Sequence, residues 1–418
     1  MASTYIKRTC DGAYTSTFTW SAWVKRSATG SYHGLFCNKK NDSNSNSRVR
    51  FYISDGDRLA MEVKDSTSGD DSFFQTNKLF RDINAWYHIV LAYDTTQGAE
   101  NDRIKLWVNN EEITSWEQFN RAGSGFGTLW SSAMEHRIGT QNSNAGTNYY
   151  FDGSMSHVHL TYGTAYTPSA FGETDATTGE WKIKTSPSVT YGSQGYFVLK
   201  DGNSLTDQSG EGNNFTVGGG TLTKTEDNPS NVFVTLSPLH RGNELGRATF
   251  SNGNTKHEGT SGGGYYPYSN STLASSSGKY YAEFKQIQGD SMMGISDGKA
   301  NAWPGSGTND YVIYKGGEVF NNGTSESWGN AISNNVIVGV AMDLDNNAVY
   351  WSLNGVWQNS GNPTSGSSRT GGKQITAPSS TFSGVYHFMC GKGGSGVTDI
   401  QANFGNGYFG TTAVSSAG

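Results

Sequence analysis

A chain of 418 residues carries 30 Lys and Arg against 36 Asp and Glu, a formal net charge of −6, and only 16% of its residues are charged. That balance excludes the clustered cations of a nucleic-acid or anionic-membrane binder. An aromatic content of 13% excludes a disordered chain, and no apolar run approaches the roughly 18 residues of a membrane span. The length predicts two or three domains at about 100–200 residues each. Low charge combined with 55 Gly and 22 Tyr predicts β-sandwiches with many tight turns.

Along the chain, Phe18, Trp20, Ala22 and Val24 alternate with Thr19, Ser21, Trp23 and Lys25, the pattern of a half-buried strand. Arg48 to Ile53 and Arg58 to Val63 flank Asp55-Gly56-Asp57, a hairpin signal. Trp86 to Tyr93 is apolar on both faces and reads as a central strand; Arg103 to Val108 follows, then a turn at Asn109-Asn110 into Glu111 to Thr114. Tyr149 to Leu160 reads as a further strand of the same body. From about Thr206 to Gly246 the sequence is polar and Gly-rich, with Gly218-Gly219-Gly220 and Asn228-Pro229 inside, and reads as a linker or loosely docked connector. A second β-rich block begins near Ala248. In it Tyr280, Ala282 and Phe284 share one face, Val336, Val338 and Val340 mark a buried strand, and Val349 to Leu353 leads into the turn Asn354-Gly355. No period of 20–50 residues appears. The expected fold class is all-β: two different antiparallel β-sandwiches, residues 1–205 and 247–418, joined by the connector 206–246.

Cys10, Cys37 and Cys390 are odd in number and widely spaced, neither a disulfide framework nor a zinc site. The N-terminal Met-Ala-Ser-Thr-Tyr-Ile-Lys-Arg lacks an apolar core, so synthesis in a cytoplasm with no secretory signal is expected.

Three stretches carry resemblances. Phe-Thr-Trp-Ser-Ala-Trp-Val-Lys (18–25), Ala-Trp-Tyr-His-Ile-Val-Leu-Ala-Tyr-Asp (85–94), Ile-Lys-Leu-Trp-Val-Asn (104–109) and Tyr-Phe-Asp-Gly-Ser-Met-Ser-His-Val-His-Leu (150–160) resemble the laminin-G/concanavalin-A-like jelly roll. Gly-Lys-Tyr-Tyr-Ala-Glu-Phe (278–284), Val-Gly-Val-Ala-Met-Asp-Leu-Asp (338–345), Ser-Leu-Asn-Gly (352–355) and Asn-Phe-Gly-Asn-Gly-Tyr-Phe (403–409) resemble a SPRY domain. Between them, the segments 166–182, 195–199, 207–216 and 226–239 give an order of sandwich, connector and SPRY-like block that is similar to virion-associated proteins of marine tailed bacteriophages. His157 stands where such proteins carry an acidic residue, so no role is transferred to it. Related proteins often continue past the segment matching 403–409, so a longer native chain is expected.

Catalytic patterns are few. Glycoside hydrolysis needs two carboxylates roughly 5–9.5 Å apart, and the glucanase pattern Glu-x-Asp-x-x-Glu is absent. Asp343 and Asp345 alternate but run into Asn346-Asn347, the start of a turn; Asp55 and Asp57 read as solvated turn residues. Nucleophile-elbow, phosphate-loop and zincin motifs are missing. His157 and His159 share a strand face without a recognisable third ligand and read as surface or interface residues. Laminin-G-like rims bind calcium, by resemblance, and Asp152 with Asn142 to Asn148 would be the donors, but Asp-Gly is also an ordinary turn and no metal or cofactor is assigned.

What remains is aromatic side chains in amide-rich loops, the mixture of flat apolar area and placed polar groups that suits a sugar. Trp303 in Asn-Ala-Trp-Pro-Gly, Tyr311, Tyr314, and Trp328 in Ser-Glu-Ser-Trp-Gly-Asn are the expected ligand contacts, with Trp116, Trp130 and Tyr149 as weaker candidates in the first body. The reading is a non-enzymatic phage virion surface protein, a fibre or appendage subunit that adheres to host-surface glycan or receptor. By resemblance it would assemble with other virion proteins as a homo-oligomer, a trimer being the common form. Capsid decoration is the alternative; polysaccharide depolymerisation would require a carboxylate pair that the sequence does not display.

Overall fold

In the computed structural model, residues 3–12, 15–40, 48–64, 71–127, 134–142, 148–200, 204–225, 227–239, 248–260, 264, 266–410 and 412–414 are described. The chain divides into two units, Met1–Asn231 and Val232–Gly418. Among the described residues there is no α-helix, and every strand pairing is antiparallel.

In the first unit an eight-stranded sheet runs Trp116–Asn120, Asp71–Leu79, Arg58–Lys64, Arg48–Ile53, His33–Lys40, Met134–Ile138, Tyr5–Cys10 and Thr216–Gly219 in spatial order. It packs on a six-stranded sheet ordered Tyr196–Val198, Gly153–Tyr162, Thr17–Arg26, Tyr87–Asp94, Ile104–Val108 and Glu111–Glu112. The period-2 pattern of each strand builds the core. Phe18, Trp20, Ala22 and Val24 meet Ile89, Leu91 and Tyr93 on one inner face, while Phe36, Phe51, Met61 and Phe74 supply the other. Burying each such side chain contributes about 1.5–3 kcal/mol.

The outer face of the six-stranded sheet is also buried, which the alternation at 18–25 does not lead one to expect. Segment 164–191, with the hairpin Gly172–Thr174 and Trp181–Ile183, roofs it. Trp181 Nε1 donates to His88 Nδ1 at 2.9 Å, which leaves His88 Nε2 to donate to Ser21 Oγ at 2.9 Å. The His88 ring stacks on Trp23 at 4.8 Å and 13°. Gly172 is required because an added Cβ would collide with the Trp181 indole lying over it.

Residues 206–246 do not behave as a loose connector. Thr216–Gly219 is an edge strand paired with Tyr5–Cys10, the Tyr5 ring lying over Gly218 and Gly219. Asp227 forms a buried ion pair with Lys25 at 2.7 Å. Leu236, 0% exposed, belongs to the core of the second unit. Residue 226 and residues 240–246 of this stretch lie outside the described residues.

The second unit pairs a six-stranded sheet, ordered Tyr268–Asn270, His387–Lys392, Ser291–Ser296, Tyr311–Tyr314, Glu318–Asn321 and Thr324–Ser327, with a larger sheet. The latter runs Ala248–Ser251, Lys256–Gly259, Thr398–Asn403, Lys279–Gln288, Ile337–Asp343, Ala348–Leu353 and Val356–Trp357, with Lys373–Gln374 paired to Ala348–Leu353. Ala282, Phe284, Val338, Val340 and Trp351 pack against Met293, Ile295, Ile313 and Phe388. Trp351 Nε1 donates across the layers to the Met293 carbonyl at 3.0 Å. Asn354 and Gly355 both have positive φ, 45° and 82°, in the turn that returns the chain from Leu353 to Val356.

Candidate functional site

Alternation along Tyr311–Tyr314 sends Tyr311 and Ile313 into the core of the second unit, and Val312 and Tyr314 to the outer face of its six-stranded sheet. Tyr268, Met292, Met389 and Phe320 share that outer face. Loop 297–310 crosses it under tight control. The Asp310 carboxylate, 0% exposed, accepts hydrogen bonds from Gly305 N (3.3 Å), Gly307 N (3.1 Å) and Asn301 Nδ2 (3.1 Å). Asp297 accepts from Lys299 N and Asn309 Nδ2, and Asn301 N donates to Tyr268 Oη. Burial pushes the Asp310 carboxyl above its ordinary range.

This scaffold places Trp303. Its ring meets Phe320 edge to face at 5.6 Å and 81°, and Tyr314 meets Phe320 from another side at 5.9 Å and 86°. All three rings are half-buried, each seated on the sheet with part of its surface in water. Beside them Lys315 and Asp290 form an ion pair, and burial, then the Asp290 charge, raises the Tyr314 phenol. The group therefore offers fixed aromatic surface bordered by a paired cation and anion and by the half-buried Glu318 and Asn321. Such a mixture holds the apolar face of a ring while its rim satisfies hydroxyls.

Two of the four residues expected from sequence thus come together, Trp303 and Tyr314. Tyr311 is corrected: it is 4% exposed, accepts a hydrogen bond from Thr376 N at 3.0 Å and faces Tyr386, so it offers nothing to a ligand at the surface. Trp328 is half-buried in a different cluster, edge to face with Trp351 at 5.8 Å and with the Lys373 ammonium 6.0 Å above its ring. Phe320 went unnoticed in the sequence, although its alternation with Val319 in Glu318–Asn321 marks it as outward-facing.

In the first unit Tyr149 stands 4.9 Å from Tyr32, which in turn lies 5.9 Å from Tyr52; the Arg50 guanidinium sits 5.3 Å over Tyr52 and pairs with Glu62. The Arg48–Ile53 alternation signalled this cluster too, since it opposes Arg50 and Tyr52 to Val49, Phe51 and Ile53. Trp116 packs on Phe74 and Phe119; Trp130 and residues 143–147 lie outside the described residues.

Several polar residues are placed differently from expectation. His157 and His159 are buried, 7% and 2% exposed, rather than at the surface. His159 stacks on Phe197 at 4.0 Å and lies 3.0 Å from Tyr191 Oη, and burial, then His157, holds it well below the ordinary histidine range. Asp57 is 5% exposed and ion-paired with Arg26 and Arg81. Asp343 hooks the turn by accepting from Asn346 N and Lys279 Nζ, and Asp345 accepts from Gly278 N. The three cysteines are buried, and burial pushes the Cys10 thiol up to about 11. No group of three or more His, Cys, Asp or Glu is arranged to hold a metal among the described residues.

Residues 2–170 match the family model of the concanavalin A-like lectin/glucanases superfamily. No curated protein matches the sequence. Among solved structures, the chain is similar to the SPRY domain of human HERC1, at 13% identity and TM-score 0.31, over 41% of this chain and 98% of that one. It is also similar to a candidate carbohydrate binding protein of Bacteroides ovatus, at 17% identity and TM-score 0.35, over 53% of this chain and 58% of that one. A third likeness is to the CBM40 of the Ruminococcus gnavus IT-sialidase bound to α2,3-sialyllactose, at 17% identity and TM-score 0.29, over 37% and 79%. The chain is an all-β protein of two antiparallel sandwiches, the first with the concanavalin-A-like lectin fold.

Proposed function

We propose that this chain is a non-enzymatic glycan-binding adhesion protein. The observation that carries the reading is the Trp303–Phe320–Tyr314 group, three half-buried rings on one sheet face beside the Lys315–Asp290 pair. The lectin-type family match of the first unit supports it. A non-enzymatic role fits two of the carboxylates beside the rings. Asp290 is tied to Lys315 and Asp310 is buried among backbone N–H donors, so neither is poised to protonate a glycosidic oxygen.

The finer setting is a phage particle. The order of segments across 166–239 supports a fibre or appendage subunit on the virion surface, homotrimeric with other virion proteins and attached to host glycans through many individually weak sites. The test is an array of bacterial and algal polysaccharides probed with the full-length protein and with Trp303→Ala/Tyr314→Ala. Binding by the wild type that falls about tenfold or more in the double variant supports the reading. Equal binding by both contradicts the site, and binding to no glycan contradicts adhesion and favours capsid decoration.

A further inference from the structure

The outer face of the second unit's other sheet carries a separate arrangement. Strand register aligns Asn403, Glu283, Gly339, Ser352 and Trp357 in one transverse row over five neighbouring strands. Gly339 leaves a gap in that row, and the Tyr281 ring occupies it: an added Cβ at Gly339 would lie 2.9 Å from Tyr281 Cε2. The ring is therefore laid along the sheet rather than standing from it. It is the exposed member of the group, at 44%.

Its hydroxyl is fixed. Tyr281 Oη donates to Glu283 Oε1 at 3.0 Å, and Glu283 Oε2 accepts from Asn403 Nδ2 at 3.2 Å. Burial of the phenol, then the Glu283 charge, pushes its pKa up to about 12, so it stays a donor. Trp357 rises beside it, with ring centroids 6.2 Å apart and planes at 65°, and is itself backed by Tyr350. Floor and wall form an aromatic corner. Lys285 and Gln401, partners in register and half-buried, lie along its next row. One carboxylate and one ammonium leave the corner without net charge.

We infer that the Tyr281–Trp357 corner is a second sugar position, taking a neutral hexopyranose residue of a glycan. An exposed flat ring whose hydroxyl is held by a hydrogen-bonded carboxylate stacks against the C–H face of a pyranose at little ordering cost. Tyr281 and the Trp303 group stand on the outer faces of the two layers of one sandwich, so they look in opposite directions and one chain engages two glycan segments. The inference rests on the glycan-binding reading of this chain.

The experiment uses the 418-residue wild type, Tyr281→Ala, Tyr281→Phe, Trp303→Ala/Tyr314→Ala and that double variant with Tyr281→Ala added, on an array of neutral polysaccharides (glucans, mannans and galactans) and acidic ones (alginate and hyaluronate), with thermal unfolding to confirm that each is folded. The expected result is a loss of about tenfold for Tyr281→Ala, retention within about twofold for Tyr281→Phe, and a Tyr281-dependent component that persists when Trp303 and Tyr314 are gone. Tyr281→Ala binding like the wild type, while the double variant is silent, overturns the second position and leaves the Trp303 site standing. Loss in Tyr281→Ala with none in the double variant keeps the corner and removes the Trp303 site. Neutral glycans ignored by every protein, with acidic ones bound, overturn the neutral-sugar assignment.

Discussion

Lys25 and Asp227 form an ion pair of 2.7 Å in which both side chains are only 5% exposed, joining the Thr17–Arg26 strand to a segment 202 residues later in the chain. Removing one partner leaves a buried charge without its counter-ion, which costs about 3 kcal/mol, whereas replacing both with apolar groups costs less. Lys25→Met and Asp227→Leu are each expected to lower the unfolding free energy of the first unit by about 3 kcal/mol, with the double variant closer to wild type than either single one. Chemical denaturation of the four proteins checks it; strictly additive losses would contradict the pair.

Acid should weaken the first unit selectively. Burial, with Arg26 nearby, lowers His33 to about 3, and burial alone lowers His88 to about 3. His136 and His159 are depressed in the same direction by burial. The unfolded chain takes up protons below about 6.5 that the folded unit refuses, so this stability is full above that pH and is lost progressively down to about 3. Each histidine contributes up to about 1.4 kcal/mol per pH unit in that window. In the second unit burial raises Asp310 and Asp399, which act in the opposite sense, partly offsetting a depressed His387. Hydrogen exchange read peptide by peptide at pH 7 and 4.5 is expected to show the first unit losing protection earlier.

Tyr311→Phe separates burial from binding. Thr376 N loses its acceptor, and the cost is about 1–2 kcal/mol of stability. Because Tyr311 faces the core, glycan affinity is expected to stay unchanged in the binding assay; a loss without a thermal shift would place it at the ligand after all.

Gly294 lies in the strand that carries Met292, and an added Cβ would collide with the Tyr311 carbonyl and Val312 Cα. Gly294→Ala is expected to force apart the two strands beneath the Trp303 group and cost about 3 kcal/mol, measurable as a drop in Tm.

Local alternation made most strands legible: Tyr87–Asp94 is central, and Ala282, Phe284, Val338 and Val340 are core as their spacing implies. What failed was non-local. Trp23 and His159 look solvent-facing in their own strands, and only the return of Trp181 and Tyr191 over that face makes it a second interior. The same long-range pairing turned part of 206–246 into an edge strand. For the candidate site, residue type pointed to Trp303 and Tyr314, but parity within Tyr311–Tyr314 already forbids Tyr311 and Tyr314 from sharing a face. The Tyr281–Trp357 corner needed strand register, which no single segment contains.

The most direct test of the account incubates the purified full-length protein with isolated cell-surface polysaccharide and with intact cells, following binding and new reducing ends in the same samples. Saturable binding, competed by the soluble polysaccharide, with no new reducing ends, is the predicted result. Release of reducing ends, or no binding even when the protein is presented as a multimer, would contradict it.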